Sequence, residues 1–324
     1  MYISRQEIVD KINLFSGGGD PFLFAIDSHG ETGFVFSPGE AARHGILYDF
    51  NNTPPADGTS PERNFRFDFS APPAELYGKA FDKVTDHIKR GDTYLLNLTF
   101  QTKLDTDLTL GELFQAGRAR FKLYVPGHFV LFSPEPFIRI NGSEIVSSPM
   151  KGTIDAAVPC AEQKLLADEK EFYEHNTIVD LIRNDLSMVS TNVRVKRFRY
   201  IDRIRTNRGD LLQMSSEISG ELPEGYLQRL GELIFTLLPA GSVTGAPKEK
   251  TVEIIREAES YDRGFYTGIF GFFDGQSLVS AVSIRYIEQT NLGLVFKSGG
   301  GITALSDAGS EYGEMLKKIY VPLV

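Results

Sequence analysis

Two acidic pairs stand out by their spacing: Glu171 with Glu174 in EFYEHN, and Glu311 with Glu314 in SEYGEMLKK. On a helix, carboxylates three residues apart share a face, with Cβ atoms about 5–6 Å apart. Two such faces turned toward each other could share a hard cation such as Mg²⁺, which prefers carboxylate oxygen and keeps waters that a substrate can displace. Taken singly, either pair is more simply a solvated helix face. Arg285 lies in AVSIRY, a strand-like stretch of small and apolar residues. Such an arginine either pairs with an internal acid or forks onto a carboxylate. Lys151 in SSPMKGT and Glu135 in SPEP sit in proline and glycine bends, where a solvated turn residue is the simplest expectation.

Glycine marks two further places. GSVTGAPKEK (Gly241 to Lys250) sets a turn before Pro247, a good first helical residue, and free amides there could receive a carboxylate or phosphate. Its glycine spacing does not make a Walker A loop, and a plain helix-entry turn is the simpler alternative. SGGGI (Ser298 to Ile302) follows a strand and either makes a tight turn or lets backbone approach a ligand. DLIRND (Asp180 to Asp185) suggests an internal ion-pair network. The basic stretch from Val193 to Arg208 alternates, with Val193, Val195 and Phe198 inward. That makes a solvated strand face a better reading than a nucleic-acid surface.

The elements that must hold these groups follow from periodicity. The amino terminus (MYISRQEIVDKINLF) is an amphipathic helix, and PFLFAID with GFVFSP form a hairpin. Asn51 to Asn64 is a loop and Phe65 to Phe69 a strand. Tyr77, Phe81, Val84 and Ile88 recur at helical spacing from Ala74 to Arg90, and Gly91 stops that helix. TYLLNLTF is a strand, LGELFQAGRAR a helix, and HFVLFSPEPFIRING a strand pair around a turn. One long helix is expected from about Ala161 to Met188, then two strands over Asn192–Ile204 and Gln213–Leu222. Helices flank the GSVTGA turn. YTGIFGFFDG, SLVSAVSIRYIE and LGLVFKSGG give three successive strands before a closing helix. Hairpins with helices in separate blocks favour α+β, in one domain, over a doubly wound parallel sheet.

The 324 residues, 41% hydrophobic, can bury a large core. A net charge of -9 argues against nucleic acid bound through a general positive field. The single cysteine, Cys160, excludes an intrachain disulfide. With no apolar run near the roughly 18 residues of a membrane span, the expectation is a cytoplasmic protein with no membrane partner.

In their order, EFYEHNTIVDLIRNDL, GSVTGAPKEKTVEIIREAE, RGFYTGIFG, VSIR and SGGGITALSDAGSEYGEMLKK resemble the chorismate-utilising enzymes, over roughly residues 74 to 320. That family includes anthranilate synthase component I, aminodeoxychorismate synthase component I, and the isochorismate and salicylate synthases. The resemblance implies an anthranilate synthase component I-like fold of two packed antiparallel sheets flanked by helices. It implies that Glu174 and Glu314 hold Mg²⁺, with Glu171 and Glu311 supporting the metal's waters. Tyr266, Arg285 and the amides of Gly299, Gly300 and Gly301 match positions that bind the substrate's carboxylates. Gly152 and Thr153 match a step that lines the ring, Thr244 belongs to the substrate-binding set, and Glu135 matches a general acid.

Branch markers point one way. Where isochorismate and salicylate synthases carry a general-base lysine this chain has Leu95, and where anthranilate synthases usually carry alanine it has Lys151. Lys151 and Asn97 resemble the aminodeoxychorismate branch, in which the lysine attacks the ring and ammonia completes the amination. Gln213 departs from a histidine common among relatives. The chain has no Gly-x-Cys-x-Gly nucleophile, so the resemblance implies a glutamine amidotransferase subunit as the ammonia source. Anthranilate synthase is the nearest alternative, isochorismate or salicylate synthesis the next, and a silent chorismate-binding subunit the alternative of another class.

Overall fold

The computed structural model describes residues 1–50, 65–206, 209–291 and 293–322, so the expected loop from Asn51 to Asn64 lies outside the described residues. The chain opens with strand β1 (Ile3–Ser4), helix α1 (Arg5–Gly18), strands β2 (Phe22–Ile26) and β3 (Thr32–Phe36), helix α2 (Pro38–Arg43) and strand β4 (Leu47–Asp49). Strand β5 (Phe67–Ser70), helix α3 (Ala74–Arg90), strand β6 (Leu95–Thr106), helix α4 (Leu110–Ala116) and strands β7 (Phe121–Val125) and β8 (Phe129–Ser133) follow. Next come strands β9 (Pro136–Asn141), β10 (Glu144–Ser147) and β11 (Met150–Asp155), helices α5 (Ala161–Ala167) and α6 (Glu169–Ser187), and strands β12 (Thr191–Thr206) and β13 (Gly209–Glu221). A 3₁₀ turn (Tyr226–Arg229), helices α7 (Leu230–Leu237) and α8 (Gly241–Thr244), strand β14 (Gly245–Ala246) and helix α9 (Lys248–Ala258) come after these. Strands β15 (Ile269–Phe273), β16 (Ser277–Val282), β17 (Tyr286–Thr290) and β18 (Gly293–Ile302) and helix α10 (Ala308–Lys317) complete it.

The strands form a ten-stranded sheet, in the order β1-β3-β2-β15-β16-β9-β10-β13-β11 with β12 on β13, and an eight-stranded sheet, β14-β6-β18-β17-β8-β7-β4 with β5 on β6. All the pairings are antiparallel. Side-chain alternation sorts the core into layers. In β2, Phe22, Phe24 and Ile26 pack toward α1, α6 and α7, while Leu23 and Ala25 turn to the other sheet. In β8, Phe129 and Leu131 meet that inter-sheet layer, and Val130 and Phe132 pack under α4. Leu96, Leu98 and Phe100 of β6 pack against α3, α9 and α10. Both faces of each sheet are covered, which is why these strands read as continuous apolar runs. The α+β architecture of two antiparallel sheets with helices outside is the one expected. Among the described residues no helix is long and apolar enough to cross a membrane.

Local signals set several boundaries. Glu7 and Ser4 form a capping box at α1, with Glu7 Oε2 accepting from the Ser4 amide at 2.9 Å. Gly91, at φ 82°, ends α3. The single helix expected from Ala161 to Met188 is instead two. Asp168 leaves the helical conformation, and its side chain accepts from the Glu171 amide at 3.0 Å, restarting the chain as α6.

Four other expectations need correction. HFVLFSPEPFIRING is not a strand pair: β8 belongs to the eight-stranded sheet and β9 to the ten-stranded one. SLVSAVSIRYIE likewise divides into β16 and β17 in different sheets, so Arg285 sits in the crossing between them, at φ 52°. SGGGI makes no turn, because β18 runs through it paired to β6, Gly299 with Thr99 and Gly301 with Asn97. Phe198 faces outward, 51% exposed, because register shifts on either side of Arg197 reset the alternation of β12.

Candidate active site

The two sheet crossings lie side by side. The Val282 amide donates to the Glu135 carbonyl at 3.1 Å, and the Phe132 amide donates to the Arg285 carbonyl at 3.2 Å. Glu135 and Arg285 are therefore placed by the same fold feature, where each chain leaves one sheet for the other. The Arg285 Nε is buried with no hydrogen-bond partner among the described residues, and no carboxylate there lies within ion-pair distance. Its guanidinium stacks over the Tyr320 ring at 5.1 Å. Of the two expectations for Arg285, the internal ion pair is not the one observed.

Lys151 is on β11, at a register shift between Met150 and Thr153, and is no solvated turn residue. Its Nζ lies 3.3 Å from Glu174 Oε2, with side chains 19% and 9% exposed. Burial pulls the Lys151 pKa down, but Glu174, Glu171 and Glu314 together outweigh it and the net shift is upward. Acids from α6 and α10 thus converge electrostatically on one ammonium. Gly152, at φ 81°, puts backbone where a Cβ would stand 3.0 Å from Glu171 Oε2. Thr153 is exposed on β11 opposite Gln213, which is half-buried.

The glycines of β18 bring backbone against these groups. β17 pairs with β18 only from Gly293 to Lys297, so Gly299 to Gly301 extend beyond it along β6. A Cβ on Gly299 would meet the Leu98 carbonyl oxygen at 2.4 Å, one on Gly300 would stand 3.5 Å from Glu311 Oε2, and one on Gly301 3.0 Å from Lys151 Nζ. That last position is also 3.1 Å from Leu95 Cδ1, so Leu95 and Lys151 flank the same glycine.

Glu135 is half-buried, and burial raises its carboxyl pKa; a hydrogen bond from Ser242 and the charges of Lys151, Arg285 and Lys318 oppose this without cancelling it. A carboxyl held toward its neutral form is a proton donor in waiting. Tyr266 is buried and its hydroxyl pKa is raised, chiefly by burial, against the pull of Arg263. Thr244 is also buried, and its hydroxyl donates to the Ala240 carbonyl at 2.9 Å, bracing the single turn of α8. Lys248 anchors that turn from α9: it meets Asp185 at 2.8 Å and the Leu237 carbonyl at 2.8 Å. The pair expected within DLIRND, Arg183 with Asp180, forms at 2.9 Å but in solvent and not internally, and the buried ion pair of this segment is instead Asp185 with Lys248.

Three contributors were not anticipated. Lys318, four residues after Glu314, meets Glu314 Oε1 at 2.8 Å and donates to the Gly299 carbonyl at 3.0 Å. Burial lowers its pKa beyond what Glu314 restores. The i,i+4 spacing in GEMLKK was the available signal. Ser242, in GSVTG, reaches Glu135. His175, beside Glu174, is buried with Nε2 2.7 Å from Ser216 Oγ and its pKa lowered to about 4, chiefly by burial, so its imidazole is neutral.

The donor set suits a hard divalent ion: Mg²⁺ takes one or two carboxylates and otherwise waters and substrate oxygens. No three His, Cys, Asp or Glu groups among the described residues stand close enough to form a metal cage by themselves. Glu174 and Glu314, whose charges both reach Lys151, are the kind of carboxylate donors such an ion takes in an open site.

Residues 26–324 match the family model described as chorismate binding enzyme. An uncharacterized PabA-like protein of Pasteurella multocida is 45% identical over 323 residues, 99% of this chain and 100% of that protein. Aminodeoxychorismate synthase component 1 of Bacillus subtilis is 31% identical over 268 residues, covering 78% of this chain and 56% of the relative. Among solved structures, anthranilate synthase component I from Streptococcus pneumoniae matches with a TM-score of 0.68 at 20% identity, over 98% of this chain and 78% of that one, a likeness of fold. This chain belongs to the chorismate-binding enzyme family.

Proposed function

We propose that the chain is the ammonia-using component of an aminodeoxychorismate synthase, converting chorismate and ammonia to 4-amino-4-deoxychorismate and water on the way to 4-aminobenzoate and folate. The observation that carries this reading is Lys151, a primary amine held among acids of two helices and against Gly301 of β18. Arg285, Lys318 and the β18 backbone offer charge and hydrogen bonds to the substrate's carboxylates. Glu135 gives its proton to the departing ring hydroxyl, which leaves as water, while the Lys151 amine forms a bond to the ring. Ammonia then displaces the lysine nitrogen, the amino group arriving at the carbon that lost the hydroxyl, and the surplus proton returns to the Glu135 carboxylate. The enolpyruvyl group stays in place.

An attacking amine must be neutral, and beside Glu174 Lys151 is held protonated. Glu174 and Glu314 would hold Mg²⁺, with Glu171 and Glu311 holding its waters, and the ion would supply Lewis-acid polarisation of the ring carboxylate. With Glu174 engaged there, the burial of Lys151 would favour the neutral amine. The exposed Cys160 lies in no glutaminase context, so a separate glutamine amidotransferase would supply ammonia in the cell.

Mass spectrometry of the product from chorismate, Mg²⁺ and an ammonium salt tests the reading. The expected product is aminated and retains its enolpyruvyl group, and EDTA should abolish its formation until Mg²⁺ is restored. Loss of pyruvate would place the chain among anthranilate synthases, and isochorismate made without ammonium would place it among the hydroxylating enzymes.

A further inference from the structure

Beside the Lys151 site lies a cavity of about 310 Å³ that shares two wall residues with it, Leu95 and Glu174. Four segments build it: the last turn of α3 through Ile88, the entry to β6, the first half of α6, and the link between β18 and α10. Tyr94, Tyr173 and Leu305, each more than half exposed, stand at its mouth. Lys151 does not line it, but Leu95 and Lys151 flank Gly301, so its inner wall is the outer wall of the reacting centre.

The lining is close to electrically silent. Among the described residues Glu174 is the only charged group on it. Its threonine hydroxyls are engaged with protein: Thr93 Oγ1 with the Ala246 carbonyl at 2.9 Å, Thr177 Oγ1 with the Tyr173 carbonyl at 2.9 Å, and Thr303 Oγ1 accepting from the Leu305 amide at 3.3 Å. A dicarboxylate entering this way would lose hydration against apolar walls and meet a carboxylate at the end, with no cation to offset either cost. The cations Lys151, Arg285 and Lys318 all lie outside this lining. A small uncharged base suffers neither penalty, and the volume holds several molecules the size of water.

We propose that this cavity is the port through which a small uncharged nitrogen nucleophile reaches the ring, the dicarboxylate entering by the cationic side. The inference rests on the amination reading above. Thr177→Phe narrows the port from α6, and Ala304→Phe covers its mouth from the link before α10. Neither residue belongs to the catalytic set. With folding checked by thermal melts, either variant should raise the KM for ammonium roughly tenfold or more while the KM for chorismate stays within about twofold. Chorismate binding titrated without ammonium should also be unchanged. A raised chorismate KM would make the cavity the substrate's door, and an unmoved ammonium KM in the folded variants would remove the port. Wild-type enzyme that forms no aminated product would defeat the functional reading and this inference together. Amination that proceeds with its ammonium KM untouched by the variants would defeat the inference alone.

Discussion

Arg263 and Arg285 both carry a guanidinium away from bulk water, but their surroundings are opposite. Arg263 spends its donors on Glu259 at 2.6 and 2.8 Å, on the carbonyls of Val243 and Asn97, and on Thr267 Oγ1. Glu259 is closed in turn by the amide and hydroxyl of Thr99. Arg285 has a buried Nε with no partner among the described residues, and its neighbour in the site, Lys151, is held by a 3.3 Å contact. Satisfied buried networks rigidify a fold, whereas donors left open are places where a ligand completes the bonding. The difference predicts that substitutions at the closed network cost stability, and those at the open one cost turnover or binding.

The largest effect is expected at Lys151. Lys151→Ala should lower turnover on the order of a thousandfold or more, with high ammonium restoring part of it by direct attack. Lys151→Arg should do no better, because guanidinium stays protonated and cannot attack. Steady-state rates across an ammonium series measure both. An Arg variant that keeps much of the rate would make Lys151 an electrostatic anchor for a substrate carboxylate, a role its pairing with Glu174 already allows.

The closed network should respond in the other currency. Arg263→Met strands the Glu259 carboxylate and should cost about 3–5 kcal/mol in urea melts, while the paired change with Glu259→Leu should recover much of that loss. A stable Arg263→Met with weakened chorismate binding would erase the distinction between the two networks.

Glu135 tests the open side through pH. Its carboxyl pKa is raised, mainly by burial, so the protonated form persists above the ordinary carboxylate range and is lost as pH rises through the raised value. The rate should therefore fall along that limb, and Glu135→Gln should be slower by about a hundredfold or more without it. A pH profile unchanged in the Gln variant would assign the limb to another group.

How much of this was legible depended on whether the signal was local. Glu171, Glu174, Glu311 and Glu314 could be placed on common helix faces because helical period is a short-range property. The break at Asp168 had a local signal too, an aspartate three residues before Glu171. Arg285 and Glu135 were another matter. SLVSAVSIRYIE is apolar on both faces, as strands covered on both sides must be, so nothing in it marks where the chain changes sheets. The prolines of SPEP mark a bend in HFVLFSPEPFIRING but not that its two strands join different sheets. SGGGI suggested a turn because glycine weakens strands, and pairing with β6 overrode that preference. Lys318 was missed because its meaning comes from Gly299 of another element.

The smallest effect should be at Arg285, and it bears most directly on the comparison. Arg285→Lys keeps the charge and removes the fork. If the guanidinium grips a substrate carboxylate through two donors, chorismate affinity should fall about tenfold, since a point charge cannot reproduce a planar pair of hydrogen bonds. Stability should barely move, because the described residues offer Arg285 no acid whose pairing would be lost. Arg263→Lys is the matched control: the same chemical change in the closed network should lower the urea midpoint and leave the affinity of the folded protein unchanged. Equilibrium titration with chorismate and urea melts on both variants give four numbers: affinity should fall only for Arg285→Lys and the urea midpoint only for Arg263→Lys. Should Arg285→Lys bind chorismate normally, the open guanidinium serves the sheet crossing, and Lys318 becomes the principal cation for the carboxylate. Its position 3.0 Å from the Gly299 carbonyl puts it on the same strand edge to do so.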